Sequence, residues 1–272
     1  MSKNNQSITI CYILSLGHSG STVLDRTLAS LPGAVGLGET YALLSGKEQN
    51  FENTSSLCSC GNQLLQCEYW SGLKDLNKNC QSPEEFINAY QQIIAHAQQQ
   101  GYSHIIDSSK KPWLLEYLNS ARFENVEIKT IYLVRDVRGW AASRRSLAAR
   151  EGKSTILVFI RAVHNWFLNN LRLLNFLKKG DYTWSLLSYE SFVLDHENSI
   201  NSLTKYLNID TSNAAEGADH IVFGNRTKLN DQKHLRYDTR WFNVYHLSVY
   251  LFIFPYIGWL NSLLSISKNG KE

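Results

Sequence analysis

An apolar run, Ile8-Thr9-Ile10-Cys11-Tyr12-Ile13-Leu14, breaks within a few residues into Gly17-His18-Ser19-Gly20-Ser21-Thr22. A continuous apolar stretch of this kind reads as a strand buried on both faces, the situation of strands in parallel sheets. The small residues after it form a tight turn, and from Ser21 to Leu31 the pattern changes to helical spacing. A strand feeding a Gly- and Ser-rich turn that opens a helix aims several backbone N–H groups at one point. The helix N-terminus adds partial positive charge there, so the turn suits a phosphate or a sulfate.

The same alternation continues along the chain. The runs Ile8–Leu16, His104–Asp107, Ile128–Val134 and Tyr182–Leu187 read as buried strands. Helical patterns cover Ser21–Leu31, Pro83–Gln99, Trp113–Asn119, Gly139–Ala149 and Ile156–Leu177. The helix at Pro83 has a clear start, with Ser82 as N-cap, Pro83 in the first position and Glu85 closing a capping box. Strands alternating with helices imply an α/β fold, a P-loop-like three-layer sandwich with a central parallel sheet flanked by helices. With 272 residues, 43% of them hydrophobic, the chain can bury one good core. The expected organisation is a single domain over residues 1–272. It carries a Cys-containing excursion at about 46–80 and an apolar helical segment at about 243–266.

A second anion-binding pattern follows the strand that ends at Val134. It reads Arg135-Asp136-Val137-Arg138, with Ser143 eight residues beyond Arg135. A permanent guanidinium charge at a strand end and a hydroxyl two turns into the next helix point to a second anionic group, as in a bis-phosphorylated nucleotide. Asp136 and Arg138 are expected to organise the turn as an ion pair. A kinase P-loop, G-x-x-x-x-G-K-[ST], fits less well. Aligned on Gly20 and Thr22, it places Ser21 where the Lys belongs and Ser15 where the first Gly belongs.

These motifs resemble the sulfotransferases that use 3′-phosphoadenosine 5′-phosphosulfate. Their 5′-phosphosulfate loop reads approximately [KR]-S-G-[ST]-T, and their 3′-phosphate element is R-D-x-R with a Ser eight residues after the first Arg. The likeness covers residues 8–45 and 103–242. It implies that Gly17, His18, Ser19, Gly20, Ser21 and Thr22 cradle the 5′ group, and that Arg135 and Ser143 take the 3′ phosphate. His18 departs from the family's Lys or Arg, so its charge depends on pH. The stretch Asp107-Ser108-Ser109-Lys110-Lys111-Pro112 resembles the family segment whose Lys stabilises charge on the bridging oxygen, with Lys110 nearer the strand end. The phenol-type base, a His in that segment, is missing. Gly36-Leu37-Gly38-Glu39-Thr40 instead resembles the protein-tyrosine and heparan-type arrangement, which implies Glu39 as general base; the competing reading is a helix-capping carboxylate. By the same resemblance Tyr189, in Ser188-Tyr189-Glu190, lies by the adenine. Gly224-Asn225-Arg226, Asp238 and Trp241 resemble a C-terminal segment closing over the nucleotide, with Arg226 or Lys228 as a further phosphate contact.

The chemistry implied is transfer of a sulfuryl group to a hydroxyl or amine, needing no metal. The rival readings are a P-loop kinase, which requires magnesium-dependent ATP binding, and a nucleotide-binding relative without turnover. Cys58, Cys60 and Cys67 with Trp70 resemble a C-x-C-G…C-x-x-W stretch of bacterial sulfotransferases, and the spacing is not that of a zinc finger. Cys80 as a fourth zinc ligand, a disulfide, and free thiols stand as three alternatives. A net charge of +3 gives no reason to expect nucleic acid. The polar start and reduced cysteines suit a cytoplasmic protein without a signal peptide. Residues 244–266 suit either a terminal helix pair packed on the core or a peripheral contact with a membrane interface. The aromatic content hints at a lipid or other hydrophobic acceptor, with small molecules, glycans and peptides equally open.

Overall fold

The computed structural model describes residues 7–46, 57–152, 155–210, 216–224, 237–243 and 253–265. Among the described residues six strands, β1 (Ile8–Ser15), β2 (Ala34–Gly38), β3 (His104–Asp107), β4 (Val126–Val134), β5 (Thr183–Ser188) and β6 (Ala218–Val222), form one sheet in the order β5-β4-β1-β3-β2-β6. The helices between them are α1 (Ser21–Ala29), α2 (Thr40–Leu44), α3 (Pro83–Gln99), α4 (Pro112–Ser120), α5 (Val137–Arg150), α6 (Thr155–Lys179), α7 (Tyr189–Leu194), α8 (His196–Leu207) and α9 (Pro255–Ser265). This is the α/β architecture with a parallel sheet flanked by helices that the strand–helix alternation implies. The chain divides into two compact units. One comprises Met1–Leu14, Ser21–Thr130 and Leu203–Asp231; the other comprises Ser15–Gly20, Ile131–Ser202 and Gln232–Glu272.

In the first unit, β3 is paired in parallel on both sides, with Ile105 beside Ile10 of β1 and Val35 of β2. Every residue of β1 is buried, and Ile8, Ile10, Ile13 and Leu14 are fully so. A fully buried side chain of this size stabilises the fold by roughly 1.5–3 kcal/mol, which is why an unbroken apolar run was the clearest strand signal. Two strands, β2 and β6, had no such signal. The sequence of β2 is Ala-Val-Gly-Leu-Gly, too short and Gly-rich to show a β pattern, yet all five residues are buried. Its register with β3 and β6 shifts between Gly36 and Gly38, and Gly38 has a φ of +78°. That left-handed conformation favours Gly, and a Cβ there would sit 2.3 Å from the Val222 carbonyl oxygen. The start of α3 matches its sequence signature: Ser82 Oγ accepts from the Glu85 N–H at 3.3 Å, and Glu85 Oε2 accepts from the Ser82 N–H at 3.2 Å.

The second unit is built around α6, whose Trp166 is 1% exposed. Trp166 Nε1 donates to the Arg135 carbonyl at 2.9 Å, and Tyr132 Oη donates to Asn170 Oδ1 at 2.9 Å. The C-terminal helix α9 packs on α6 and β5, burying Ile257, Leu260 and Leu264. Its other face leaves Tyr256 and Trp259 exposed. Among the described residues no helix is long and apolar enough to cross a membrane.

Candidate active site

The turn after β1 belongs to the second unit up to Gly20, and three side chains of that unit strap it in place. Trp140 Nε1 donates to the Gly17 carbonyl at 2.7 Å, and Arg135 Nη1 donates to the His18 carbonyl at 3.1 Å. The ring of Tyr189 packs on Gly20, where an added Cβ would lie 2.5 Å and 2.7 Å from two ring carbons. Gly20 has a φ of +95° and His18 one of +70°. A His in the left-handed region is uncommon and persists only where its surroundings hold it. Here the Arg135 hydrogen bond to its carbonyl and an Arg144 Nη1 contact to its Nε2 at 3.5 Å do so. Gly17 and His18 are exposed and Ser19 is buried. The chain then enters α1 at Ser21, where the first N–H groups have no partner within the helix.

Arg135 is buried, with its guanidinium 4.9 Å from the centre of the Tyr189 ring. Its Nη2 meets Asp238 Oδ2 at 2.6 Å, and its Nε is buried with no hydrogen-bond partner among the described residues. Gly139 opens the space beside that Nε, since a Cβ there would come within 3.0 Å of it. Ser143 lies four residues on from Gly139 in α5, hence on the same helix face, and is half-buried. The structure therefore brings Arg135, Tyr189, Gly20 and the His18 backbone together, with Ser143 one turn along the face that backs Arg135. Asp136 and Arg138 pair at 2.8 Å, and Arg138 stacks over Trp241 at 4.2 Å. Burial alone would raise the Asp136 carboxyl, but hydrogen bonds from Arg138 and Asn261 outweigh it and hold the group below its usual range. At Glu190 the hydrogen bonds from the Asp136 N–H and the Arg135 charge lower the carboxyl but do not outweigh burial. Burial first, and the Asp136 charge second, push its carboxyl up to about 7.

The candidate base belongs to the first unit. Glu39 follows the β2 bulge, and its N–H donates to the Val222 carbonyl at 3.0 Å. It occupies the N-cap position of α2, yet its side chain makes no cap hydrogen bond. Its Oε1 instead meets Lys110 Nζ at 2.5 Å. Gly224 marks the same spot: a Cβ there would lie 3.1 Å from Thr22 Oγ1 and 3.5 Å from Glu39 Oε1. Thr22, Glu39 and Lys110 are thus gathered in one cluster, and the carboxylate pairs with Lys110 rather than capping α2.

A buried polar frame beneath this cluster carried no separate sequence signal. Lys110 has a φ of +64°, and the loop that imposes it is held at several points. Asp107 Oδ1 accepts from the Ser109 N–H at 2.7 Å, and the Tyr90 hydroxyl donates to Asp107 Oδ2. Tyr12 Oη accepts from the Lys111 N–H at 2.9 Å, and Ser109 Oγ accepts from the Tyr41 N–H at 2.9 Å. Asp25, buried on α1, accepts from Ser108 Oγ at 2.7 Å, and burial raises its carboxyl well above the ordinary range. The polar triplet Asp107-Ser108-Ser109 at the end of an apolar strand is the one sequence trace of this frame. Arg226 and Lys228 lie outside the described residues.

The profile of the sulfotransferase family matches residues 11–213. Among curated proteins no sequence matches significantly. The sulfotransferase domain from the curacin biosynthetic pathway superposes with a TM-score of 0.50 at 19% identity, covering 89% of this chain and 98% of that one. The sulfotransferase domain from the Synechococcus PCC 7002 olefin synthase gives 0.48 at 19% identity, over 89% of this chain and 82% of that one. STF1, a sulfotransferase from Mycobacterium tuberculosis H37Rv, gives 0.46 at 15% identity, over 76% of this chain and 69% of its own. The curacin-pathway domain shares the fold, and the family match spans most of the sequence. The chain belongs to the sulfotransferase family.

Proposed function

We propose that the protein transfers the sulfuryl group of 3′-phosphoadenosine 5′-phosphosulfate to an acceptor hydroxyl, with Glu39 as general base. The observation that carries this reading is the cluster of Thr22 Oγ1, Glu39 Oε1 and Lys110 Nζ around Gly224. It sets a carboxylate and an ammonium beside the last residue of the Gly- and Ser-rich turn. The donor suits the residues present. The turn and the start of α1 offer N–H groups to the 5′ phosphosulfate, and the unpartnered Arg135 Nε and the Tyr189 ring suit a phosphate and an adenine.

In this mechanism Glu39 takes the acceptor proton as the hydroxyl oxygen attacks sulfur. The bond from sulfur to the 5′-phosphate oxygen breaks, and 3′-phosphoadenosine 5′-phosphate leaves with the electron pair. Lys110, His18 and the turn N–H groups stabilise the charge gained by that phosphate. Arg135 and Ser143 hold the 3′ phosphate. The test uses the ³⁵S-labelled donor with a panel of phenolic, glycan and lipid alcohols. Glu39→Gln should lose about 10²- to 10⁴-fold in transfer, the usual worth of a positioned base. Its affinity for the product nucleotide should stay within about threefold, because the Glu39 backbone is held through its own N–H. A Glu39→Gln enzyme with wild-type turnover removes Glu39 from this role.

A further inference from the structure

Three of the five cysteines lie with a histidine from a distant part of the chain. The sulfurs of Cys58, Cys60 and Cys67 and a ring nitrogen of His220, on β6, all lie within 4.8 Å of one another. Cys80, the fourth ligand considered from sequence, is not among them; its thiol reaches the Asn77 carbonyl at 3.5 Å. All five cysteines are free thiols in the structure. We propose that Cys58, Cys60, Cys67 and His220 form a structural zinc site that fastens the segment around residues 57–73 to the sheet edge at β6.

The distances suit a tetrahedral ion. With Zn–S near 2.3 Å and Zn–N near 2.0 Å, ligand atoms lie about 3.8 Å apart for two sulfurs and about 3.5 Å for sulfur and nitrogen. Cys58 Sγ and Cys67 Sγ are 3.5 Å apart. His220 Nδ1 lies 3.3 Å from Cys67 Sγ and 3.9 Å from Cys58 Sγ. Cys60 is the exposed member, and its sulfur lies within 4.8 Å of the other three ligand atoms. Three soft thiolates with one imidazole select zinc over the hard cations.

The residues around the four ligands orient them, as outer partners do at metal sites. Ser59, between the first two cysteines, bonds to both neighbours of His220: its Oγ donates to the Asp219 carbonyl at 2.8 Å and accepts from the Ile221 N–H at 2.9 Å. Trp70 Nε1 donates to the His220 carbonyl at 2.7 Å, and the Tyr69 ring stacks on the imidazole with centroids 5.5 Å apart. Because β6 is the outermost strand, the clip covers an edge that would otherwise be open to pairing with another chain. It also steadies Val222, whose carbonyl holds the Glu39 N–H. The site takes no part in sulfuryl transfer, and this inference stands independently of the proposed donor and base.

The test is metal content by inductively coupled plasma mass spectrometry on protein purified without chelator. It is paired with uptake of cobalt(II) by chelator-stripped protein under reducing conditions. The site predicts about one zinc per chain and the intense visible absorption of tetrahedral cobalt–thiolate coordination. Cys67→Ser and His220→Ala should each lose the metal, whereas Cys80→Ser should keep it. Variants that do not fold leave the wild-type stoichiometry and cobalt spectrum as the deciding measurements. Wild-type protein with neither zinc nor cobalt uptake, retention of metal by His220→Ala, or a Cys58–Cys67 disulfide in freshly isolated protein would overturn the proposal.

Discussion

Replacing Arg135 by Ala tests the nucleotide reading at its most specific point. The Arg135 side chain is 7% exposed and makes an ion pair with Asp238, a hydrogen bond to the His18 carbonyl and a cation–π contact with Tyr189. Its backbone carbonyl is held separately by Trp166, so the chain path through residue 135 survives truncation. If the guanidinium holds the 3′ phosphate, its loss removes a hydrogen bond between charged groups worth roughly 1.5–3 kcal/mol. Affinity for 3′-phosphoadenosine 5′-phosphate then falls by about 10- to 150-fold. Asp238 supplies the complementary case, because its carboxylate meets the same guanidinium at 2.6 Å and competes with a phosphate for it. At an effective dielectric of about 20, two unit charges some 5 Å apart repel by roughly 3 kcal/mol, an upper limit on what a bound phosphate would feel from Asp238. Screening and the loss of the ion pair reduce this, so Asp238→Asn should tighten binding by about 3- to 10-fold. Isothermal titration of the three proteins, each checked by thermal melting, gives both numbers. Unchanged affinity in Arg135→Ala removes Arg135 from the site. Equal weakening in Asp238→Asn refutes the competition.

Two more predictions rest on single residues. Gly20→Ala places a Cβ against the Tyr189 ring at a φ of +95°, so it should destabilise by about 1–3 kcal/mol and weaken nucleotide binding; a variant with the wild-type melting temperature and affinity contradicts the packing argument. Glu190 is raised from 4.5 to about 7, so the folded protein holds a proton there that the unfolded chain has released. Its contribution to stability is complete below about pH 4.5 and is lost as pH rises through about 7, a difference on the order of 3 kcal/mol. Melting temperatures at pH 5 and pH 8 should therefore differ less in Glu190→Gln than in the wild type, and parallel pH profiles would refute the assignment.

The strands legible in the sequence were those whose fold environment shows in their composition. β1 and β3 are buried at every position, and β4 and β5 over their last six and four residues, with Ile, Leu, Val or Tyr within each of those runs. β2 and β6 are five residues each, and β2 is held by parallel pairing on both sides rather than by β propensity, so no local pattern announces them. Glu39 was singled out through the resemblance of Gly36–Thr40 to the protein-tyrosine-type stretch, but the reason its side chain does not cap α2 is tertiary: it pairs with Lys110, whose backbone is left-handed. The frame of Asp25, Tyr90 and Asp107 was illegible because a buried carboxyl on a helix or strand looks in sequence like any surface acid. His220 was invisible for another reason. No spacing rule connects it to cysteines more than a hundred residues earlier, and only the sheet brings β6 to them.

The central claim is that this chain binds a nucleotide through two anions, one at the Gly17–Thr22 turn and one at Arg135. Calorimetric titration of the wild-type protein with 3′-phosphoadenosine 5′-phosphate, with ADP and magnesium as the control, tests it most directly. The account predicts micromolar binding of the bis-phosphorylated nucleotide and none of ADP with magnesium. Binding of ADP with magnesium alone, or of neither nucleotide, contradicts it.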